Sequence, residues 1–560
     1  MTVPFKKSAL LMVLALLAVA VLTGHQTVPS MDRDESRFAQ ASRQMVDSGD
    51  LVTIRFQDEL RAKKPAGIYW LQAASASVFG TDDIAAYRLP SLLAMLLTVY
   101  GTFRIARTLY KPPRAILAAA ACGGGLLIFA EAHLAKTDSV LMLLCLIQQF
   151  GLMRIYQAWQ HGRRLSYNSY LLVWLPMAAA VLVKGPVAPL LAVTTVAALC
   201  LWHRQTGWLR MLRFWRGGLL LAGITLPWAI MVTLATDGAF LDLAFRGDFV
   251  AKVQSAQESH GAPVGTYLML VPLLIWPASL LLPRAVAQLP VLLEHVESRF
   301  LLAWIVPFWV LIEFVPTKLP HYPMPVLPAL AVLLVCAVDA PLAGAAKGGI
   351  RTVARRWLAL AGDYAMLVAG PVIAAAILWA ALTYGGATGG RAFAFAMLAG
   401  LMAGLALWQG IVWHRHGGIV PVARVLAAGL AFHLIVIAGL IPSLSRVHVA
   451  RAIDAALISD GGYPPAMAAA GFHEPSLVFH LGRDLLLVDG GEAALFLAEA
   501  ADGLAIVERD QQAAFLAMAD HVGLRLEPPR QIEGFNMSKG RDVLIFLYRA
   551  EGFDPVGVSG

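Results

Sequence analysis

Residues 31–70 read MDRDESRFAQASRQMVDSGDLVTIRFQDELRAKKPAGIYW. The run opens on Asp32, Asp34 and Glu35 and closes on Lys63 and Lys64, the latter followed by Pro65. Apolar sequence stands on both sides, from Ala9 to Leu22 before it and over 86–108 after it. The segment is too charged to cross a bilayer and too long for a turn between spans. Two helices are expected inside it. Phe38, Ala41, Met45 and Val46 recur at helical spacing, which predicts an amphipathic helix from Glu35 to Val46 lying on the membrane. From Pro65 to Phe79 a second apolar segment starts with proline at a helix-opening position and carries Tyr69 and Trp70, an interfacial composition. Joined by residues 49–64, the pair would cap the outer mouth of a helical bundle.

The whole chain agrees with a membrane setting. It has 560 residues, 58% hydrophobic and 14% charged, with mean hydropathy +0.67. A soluble domain carries roughly 25% charged residues, so this is a polytopic α-helical membrane protein. The net charge of +8 marks cytoplasmic loops rather than a nucleic-acid surface, and no nucleic-acid partner is expected. Cys122, Cys145, Cys200 and Cys336 all sit in apolar runs without metal-ligand spacing, and read as small core residues. Lys6 and Lys7 precede the first apolar run, and no small-residue cleavage site follows it, so an uncleaved first span is expected.

With about 20 apolar residues needed to span, about thirteen candidates emerge: 8–25, 86–108, 113–131, 138–157, 168–183, 185–203, 215–236, 264–283, 299–316, 321–342, 362–385, 391–413 and 422–443. With the N-terminus inside, every inward connection is basic, among them Arg163–Arg164, Arg204 to Arg216, and Lys347 to Arg356. The C-terminus then lies outside. The expected division is a membrane domain over 1–445, with residues 26–85 as its first outer loop, and an outer α/β domain over 446–560. In that domain Ser476–Leu481, Leu485–Val488, Leu504–Val507 and Val543–Tyr548 read as strands, and Ala493–Ala500 and Gln511–Ala519 as helices.

This topology gathers the unusual polar groups on the outer face: Asp32, Asp34, Glu35, Lys63 and Lys64; Glu131, His133, Lys136 and Asp138; Lys184; Asp248, Lys252 and His260; Lys318, His321 and Tyr322. Charge inside a span costs about 2.5–3.5 kcal/mol, so helix ends are where functional charge is tolerated. Taken alone, Asp32 to Glu35 read more readily as an acidic cap on the next helix than as a functional group. Asp138 reads equally as a helix start. Lys184-Gly185-Pro186, in a tight turn between two very apolar helices, is poorly explained by snorkelling alone. Thr317-Lys318-Leu319-Pro320-His321-Tyr322 has the composition of a phosphate-binding turn. Glu313, inside a span, is expected to pair with a cation.

Several ordered motifs resemble a known family. Asp34-Glu35-x-Arg37-Phe-Ala, Gly49-Asp50-Leu, Lys64-Pro65-x-x-x-Tyr69-Trp70-Leu, Ala86-x-Arg88-Leu-Pro, Lys184-Gly-Pro, Leu226-Pro-Trp, His260-x-x-Pro263 and Lys318-Leu-Pro-His-Tyr322 are similar to those of membrane glycosyltransferases of the ArnT/protein-mannosyltransferase type, the GT-C superfamily. The resemblance covers nearly the whole chain. It departs at Ala66-Gly67, where a proline or bulkier apolar residue is frequent, and at Phe38, where tyrosine is frequent. It implies thirteen spans, periplasmic juxtamembrane helices and a periplasmic C-terminal domain in a bacterial inner membrane. It also implies a polyprenyl-phosphate-linked sugar donor and a lipid or glycan acceptor. By the family pattern Asp34 is the key carboxylate, with Glu35 and Asp138 beside it in the catalytic set. Lys64, Tyr69, Lys184, Lys318, His321 and Tyr322 would hold substrate. His260 would line the cavity or bind a divalent metal ion, the one cofactor the pattern admits.

The expected activity is inverting transfer of an aminoarabinose-like or other sugar to lipid A or another envelope acceptor, by a monomer. Two alternatives stand beside it, protein O-mannosylation and flipping of a lipid-linked sugar. Transporters usually show repeated halves and charges near the midplane, and neither pattern is found in this sequence.

Overall fold

The computed structural model describes residues 7–244, 261–339, 368–500 and 502–551. His260, Asp248, Lys252 and the basic run Lys347 to Arg356 lie outside the described residues. Among those described, seven helices are long and apolar enough to cross a membrane. They include α1 (Lys7–Thr27), α4 (Ile84–Ala106), α7 (Asp138–Gln160) and α10 (Phe214–Ala235). A helix lies within each of the thirteen expected segments, but several are short or broken. The expected 113–131 span is two pieces, α5 (Pro112–Gly123) and α6 (Leu126–Glu131), interrupted at Gly123-Gly124-Gly125. The expected straight 264–283 span bends by 115° between Thr266–Leu274 and Ala278–Ala287. Pro272 and Pro277 each remove a backbone donor there, so the ladder cannot run through.

Burial orders the bundle. In α7, 72% of the best apolar window is buried, against 11% in α10, so α7 is central and α10 faces outward. α8 (Leu171–Lys184) runs beside α7, and α9 (Val187–His203) follows after one tight turn. Gly185, at φ +67°, makes that turn possible. It leaves Lys184 on the last helical residue, where a helix terminus favours a cation. Among the described residues Glu313 pairs with no cation. Its carboxylate accepts from the backbone N–H groups of Gly265 and Leu268 at 3.0 Å each, so the positive end of helix Thr266–Leu274 neutralises it.

The first loop folds as expected in type but not in setting. α2 (Asp34–Ser48) and α3 (Gly67–Phe79) are its two helices, with a small hairpin of β1 (Arg55–Phe56) and β2 (Glu59–Leu60) between them. α2 does not lie open on the membrane. It is buried on most sides, packed between α3 and helix Pro475–Leu481.

Beyond residue 446 a five-stranded sheet has the order β4-β3-β5-β7-β6, with β3 Met467–Ala470, β4 Leu486–Val488, β5 Leu504–Glu508, β6 Arg530–Asn536 and β7 Arg541–Tyr548. β3 pairs parallel with β4 and β5, and β7 antiparallel with β5 and β6. Both faces are covered. Leu504 and Ile506 point to a core with Ile453, Leu457 and Val478, whereas Ala505 and Val507 point to one with Leu497, Phe515 and Phe546. The Ser476–Leu481 segment, expected as a strand, is a helix opened by Pro475. A short apolar run cannot be typed by periodicity. β3 went unseen because Met-Ala-Ala-Ala has poor strand propensity. Its small side chains let helices approach both faces.

Candidate active site

The recess at one end of the bundle is built from helix termini. α2 begins with Asp34, the α6–α7 turn supplies Glu131, Lys136 and Asp138, α8 ends on Lys184, and the 317–323 turn carries His321 and Tyr322. Lys184 Nζ donates to Asp138 Oδ1 at 2.5 Å, and His321 Nε2 stands 3.9 Å from the same oxygen. Lys136 Nζ donates to Glu131 Oε1 at 3.0 Å. The Tyr322 ring lies 6.0 Å from Lys184 Nζ.

Asp34 faces this group. It is solvent-exposed at its surface yet densely surrounded by protein, as a residue on the wall of a wet recess is. Burial alone would raise its pKa. The charges of Lys136, Arg61 and Lys64 oppose that and hold the carboxyl below the usual carboxylate range. Around Asp34, Glu131 and Asp138 stand Lys64, Arg61, Lys136 and Lys184, so among the described residues here fixed cations outnumber carboxyl groups. Such a surplus suits a phosphate leaving group in a site of low dielectric.

Three of the expected site residues stand elsewhere. Glu35 is 1% exposed and fully committed: its two oxygens take Arg88 Nε at 2.7 Å and Nη2 at 2.8 Å, plus the N–H groups of Ala135 and Met31. Four donors leave it no capacity to act on a substrate. Tyr69 is fully buried, packed on Phe38 with ring centroids 5.3 Å apart, its hydroxyl accepting from Arg61 Nε at 3.1 Å. Phe38, the departure from the family's tyrosine, packs on the Tyr69 ring and lies under the Arg61 guanidinium, 5.1 Å from its ring centroid. Lys318 donates to the carbonyls of Glu313 at 2.6 Å and of Val315, closing the end of helix Val296–Phe314 rather than reaching the recess. Lys64 is partly exposed beside Asp34, and its Nζ donates to the Lys63 carbonyl at 2.7 Å.

Arg61 and Lys136 complete the charge ring and were not among the expected site residues. Lys136 stands two residues before Asp138, and Arg61 three before Lys64, so proximity to the motifs was the available signal. Among the described residues no group of three or more His, Cys, Asp or Glu is placed to hold a metal ion. His260, the residue expected to bind one, lies outside the described residues.

The helical bundle, the charged recess at its helix ends and the structured first loop together resemble a solved structure of GT-C fold. The structure of ArnT from Cupriavidus metallidurans bound to undecaprenyl phosphate superposes with TM-score 0.72, over 97% of this chain and 98% of that one at 19% identity. The apo form of the same protein gives the same score. At this identity the likeness is one of fold.

The sequence comparisons point the same way. The family model described as Dolichyl-phosphate-mannose-protein mannosyltransferase matches residues 63–231. An undecaprenyl phosphate-alpha-4-amino-4-deoxy-L-arabinose arabinosyl transferase of Pseudomonas paraeruginosa is 29% identical over 304 residues, 54% of each chain. A like-named protein of Pseudomonas fluorescens is 30% identical over 307 residues, 54% of this chain and 51% of that one. This chain therefore spans about half the length of the curated relatives it matches. It is an ArnT- and protein-mannosyltransferase-like, multi-span membrane protein of GT-C fold.

Proposed function

We propose that this chain is an inner-membrane glycosyltransferase that moves one sugar from a polyprenyl-phosphate donor to lipid A or another envelope acceptor. The observation that carries the reading is Asp34, held ionised in a water-reachable recess by Lys136, Arg61 and Lys64, beside the Asp138–Lys184 pair. The donor's glycosidic C–O bond breaks toward phosphate, and the lysines stabilise the charge that develops on the departing lipid phosphate. A carboxylate held below its usual range is a weak base. Asp34 therefore chiefly orients an acceptor phosphate, which is already ionised and has no proton to lose, and faces the positive charge on the sugar carbon; with an acceptor hydroxyl, the proton released as the new C–O bond forms passes to Asp34 and on to water. Single displacement with inversion follows, since no second carboxylate is placed as a covalent nucleophile among the described residues. The basic connections of the sequence support a reading in which this recess and the region over 446–560 face the periplasm. The names of the matched relatives support aminoarabinose as the sugar.

Mass spectrometry of lipids and envelope glycans from wild type, a deletion strain and Asp34→Asn tests this. One sugar should vanish from one acceptor in both mutants while its polyprenyl-phosphate donor accumulates. Wild-type glycolipids in an Asp34→Asn strain with normal protein level would sink the assignment. The match to a protein-mannosyltransferase model favours a second reading in which the sugar disappears from a protein instead.

A further inference from the structure

We infer that the region beyond residue 446 clamps the first loop, with Arg33 and Asp32 as positioning residues that fix where Asp34 stands. This rests on the role proposed above for Asp34. Two anchors flank that residue. On its C-terminal side Glu35 is tied to Arg88 of α4 and to the Ala135 N–H. On its N-terminal side three side-chain contacts reach the other end of the chain. Asp32 Oδ1 accepts from the Ser476 N–H at 3.0 Å, Arg33 Nη2 donates to the Ser538 carbonyl at 2.7 Å, and Ser30 Oγ lies 3.2 Å from His480 Nε2. The first two partners stand 444 and 505 residues away.

The local geometry shows why both contacts are needed. Ser476 is the second residue of helix Pro475–Leu481, and Glu474 before it makes no side-chain cap. Asp32 supplies that acceptor from the first loop. Arg33 has φ +64° and ψ −89°, a backbone setting that residues with a side chain rarely adopt. Such a setting persists only where the surroundings impose it. The turn at Arg33 is what directs the next residue, Asp34, toward Lys136 and Arg61. Without the guanidinium contact the backbone is free to return to an ordinary conformation, and the carboxylate would leave the ring of cations. Helix Pro475–Leu481 also packs along α2, and Gln57 Nε2 donates to the carbonyls of Arg483 and Leu485 at 3.0 and 2.8 Å, so the whole loop is gripped at both ends.

The test uses the full chain in lipid nanodiscs, with Arg33→Ala, Arg33→Lys and Arg33→Gly compared in two assays. The first is hydrogen exchange at residues 30–36. The second is steady-state transfer from undecaprenyl-phosphate aminoarabinose to lipid A. Arg33→Ala should speed exchange of this segment by about tenfold with an unchanged unfolding midpoint. It should lower kcat by about 10²-fold, the effect of a small misplacement, and move the donor KM by less than about threefold. Arg33→Lys should fall between. Arg33→Gly, which tolerates the backbone setting but lacks the contact, should resemble Arg33→Ala. Unchanged exchange in Arg33→Ala, or full turnover in it, overturns the clamp. If wild type transfers no sugar in this assay, aminoarabinose and lipid A are the wrong donor and acceptor pair, and the exchange result alone decides the clamp.

Discussion

The carboxylate of Glu35 receives hydrogen bonds from two nitrogens of Arg88 and from the backbone N–H groups of Met31 and Ala135. Arg88 in turn donates to the carbonyls of His25, Val28 and Pro29 at 2.9, 2.7 and 3.0 Å. The pair therefore fastens the end of α1, the start of α2 and the α6–α7 turn to one point inside α4. Removing one member of a buried ion pair leaves the other uncompensated, at a cost of about 3–5 kcal/mol. Glu35→Gln should thus lower the unfolding midpoint in detergent and the folded yield, whereas Asp34→Asn should leave both near wild type. If Glu35→Gln unfolds like wild type yet loses transfer, Glu35 is catalytic and its structural assignment here is wrong. Asp34 and Glu35 look alike in the sequence because charge at a loop-to-helix junction does not reveal which side is buried. Arg88, the partner that decides it, stands 53 residues downstream.

At the scale of elements, close helix approach sets the recess. A Cβ added to Gly67, at the start of α3, would stand 2.8 Å from the Leu182 carbonyl oxygen in α8. That contact is with backbone, so no rotamer change relieves it, and α8 would have to shift. Leu182 is two residues before Lys184. Gly67→Ala should therefore cost about 1–3 kcal/mol, as overpacking usually does. It should also lower transfer through the displaced Asp138–Lys184 pair. Thermal unfolding and initial rates check both, and wild-type values for the two together would refute the close-packing argument. The sequence showed that Ala66-Gly67 departs from the family pattern but not why. Packing between α3 and α8 supplies the reason. The long apolar helices were legible from composition, because burial in lipid demands it. The breaks at Gly123-Gly124-Gly125 and at Pro272 and Pro277 were not, since average hydropathy is blind to backbone geometry.

Across the whole molecule, the least legible feature is the joining of the two ends of the chain. No local pattern links Asp32 to Ser476, and the fold of each region could be inferred separately without their contact. That contact carries a titratable group. Burial, chiefly, raises Asp32 from its ordinary 3.8 to about 6, with Glu474 adding to the rise while Ser476 and Arg37 oppose it. The folded state then binds a proton more tightly than the unfolded chain. The associated stability is present in full below about 3.8 and is lost as the pH rises through about 6. At neutral pH the ionised carboxylate is a net cost of about 1 kcal/mol, discounting the shift for the water that reaches this partly exposed side chain. Asparagine keeps an oxygen to accept the Ser476 N–H and carries no charge. Asp32→Asn should therefore leave the unfolding midpoint unchanged or slightly lower near pH 4 and raise it by a few degrees near pH 8. The difference should grow between those limits. A mutant-minus-wild-type difference that stays flat from pH 4 to 8 would show that Asp32 does not titrate in this range. The contact with Ser476 would then be a neutral or fully solvated one.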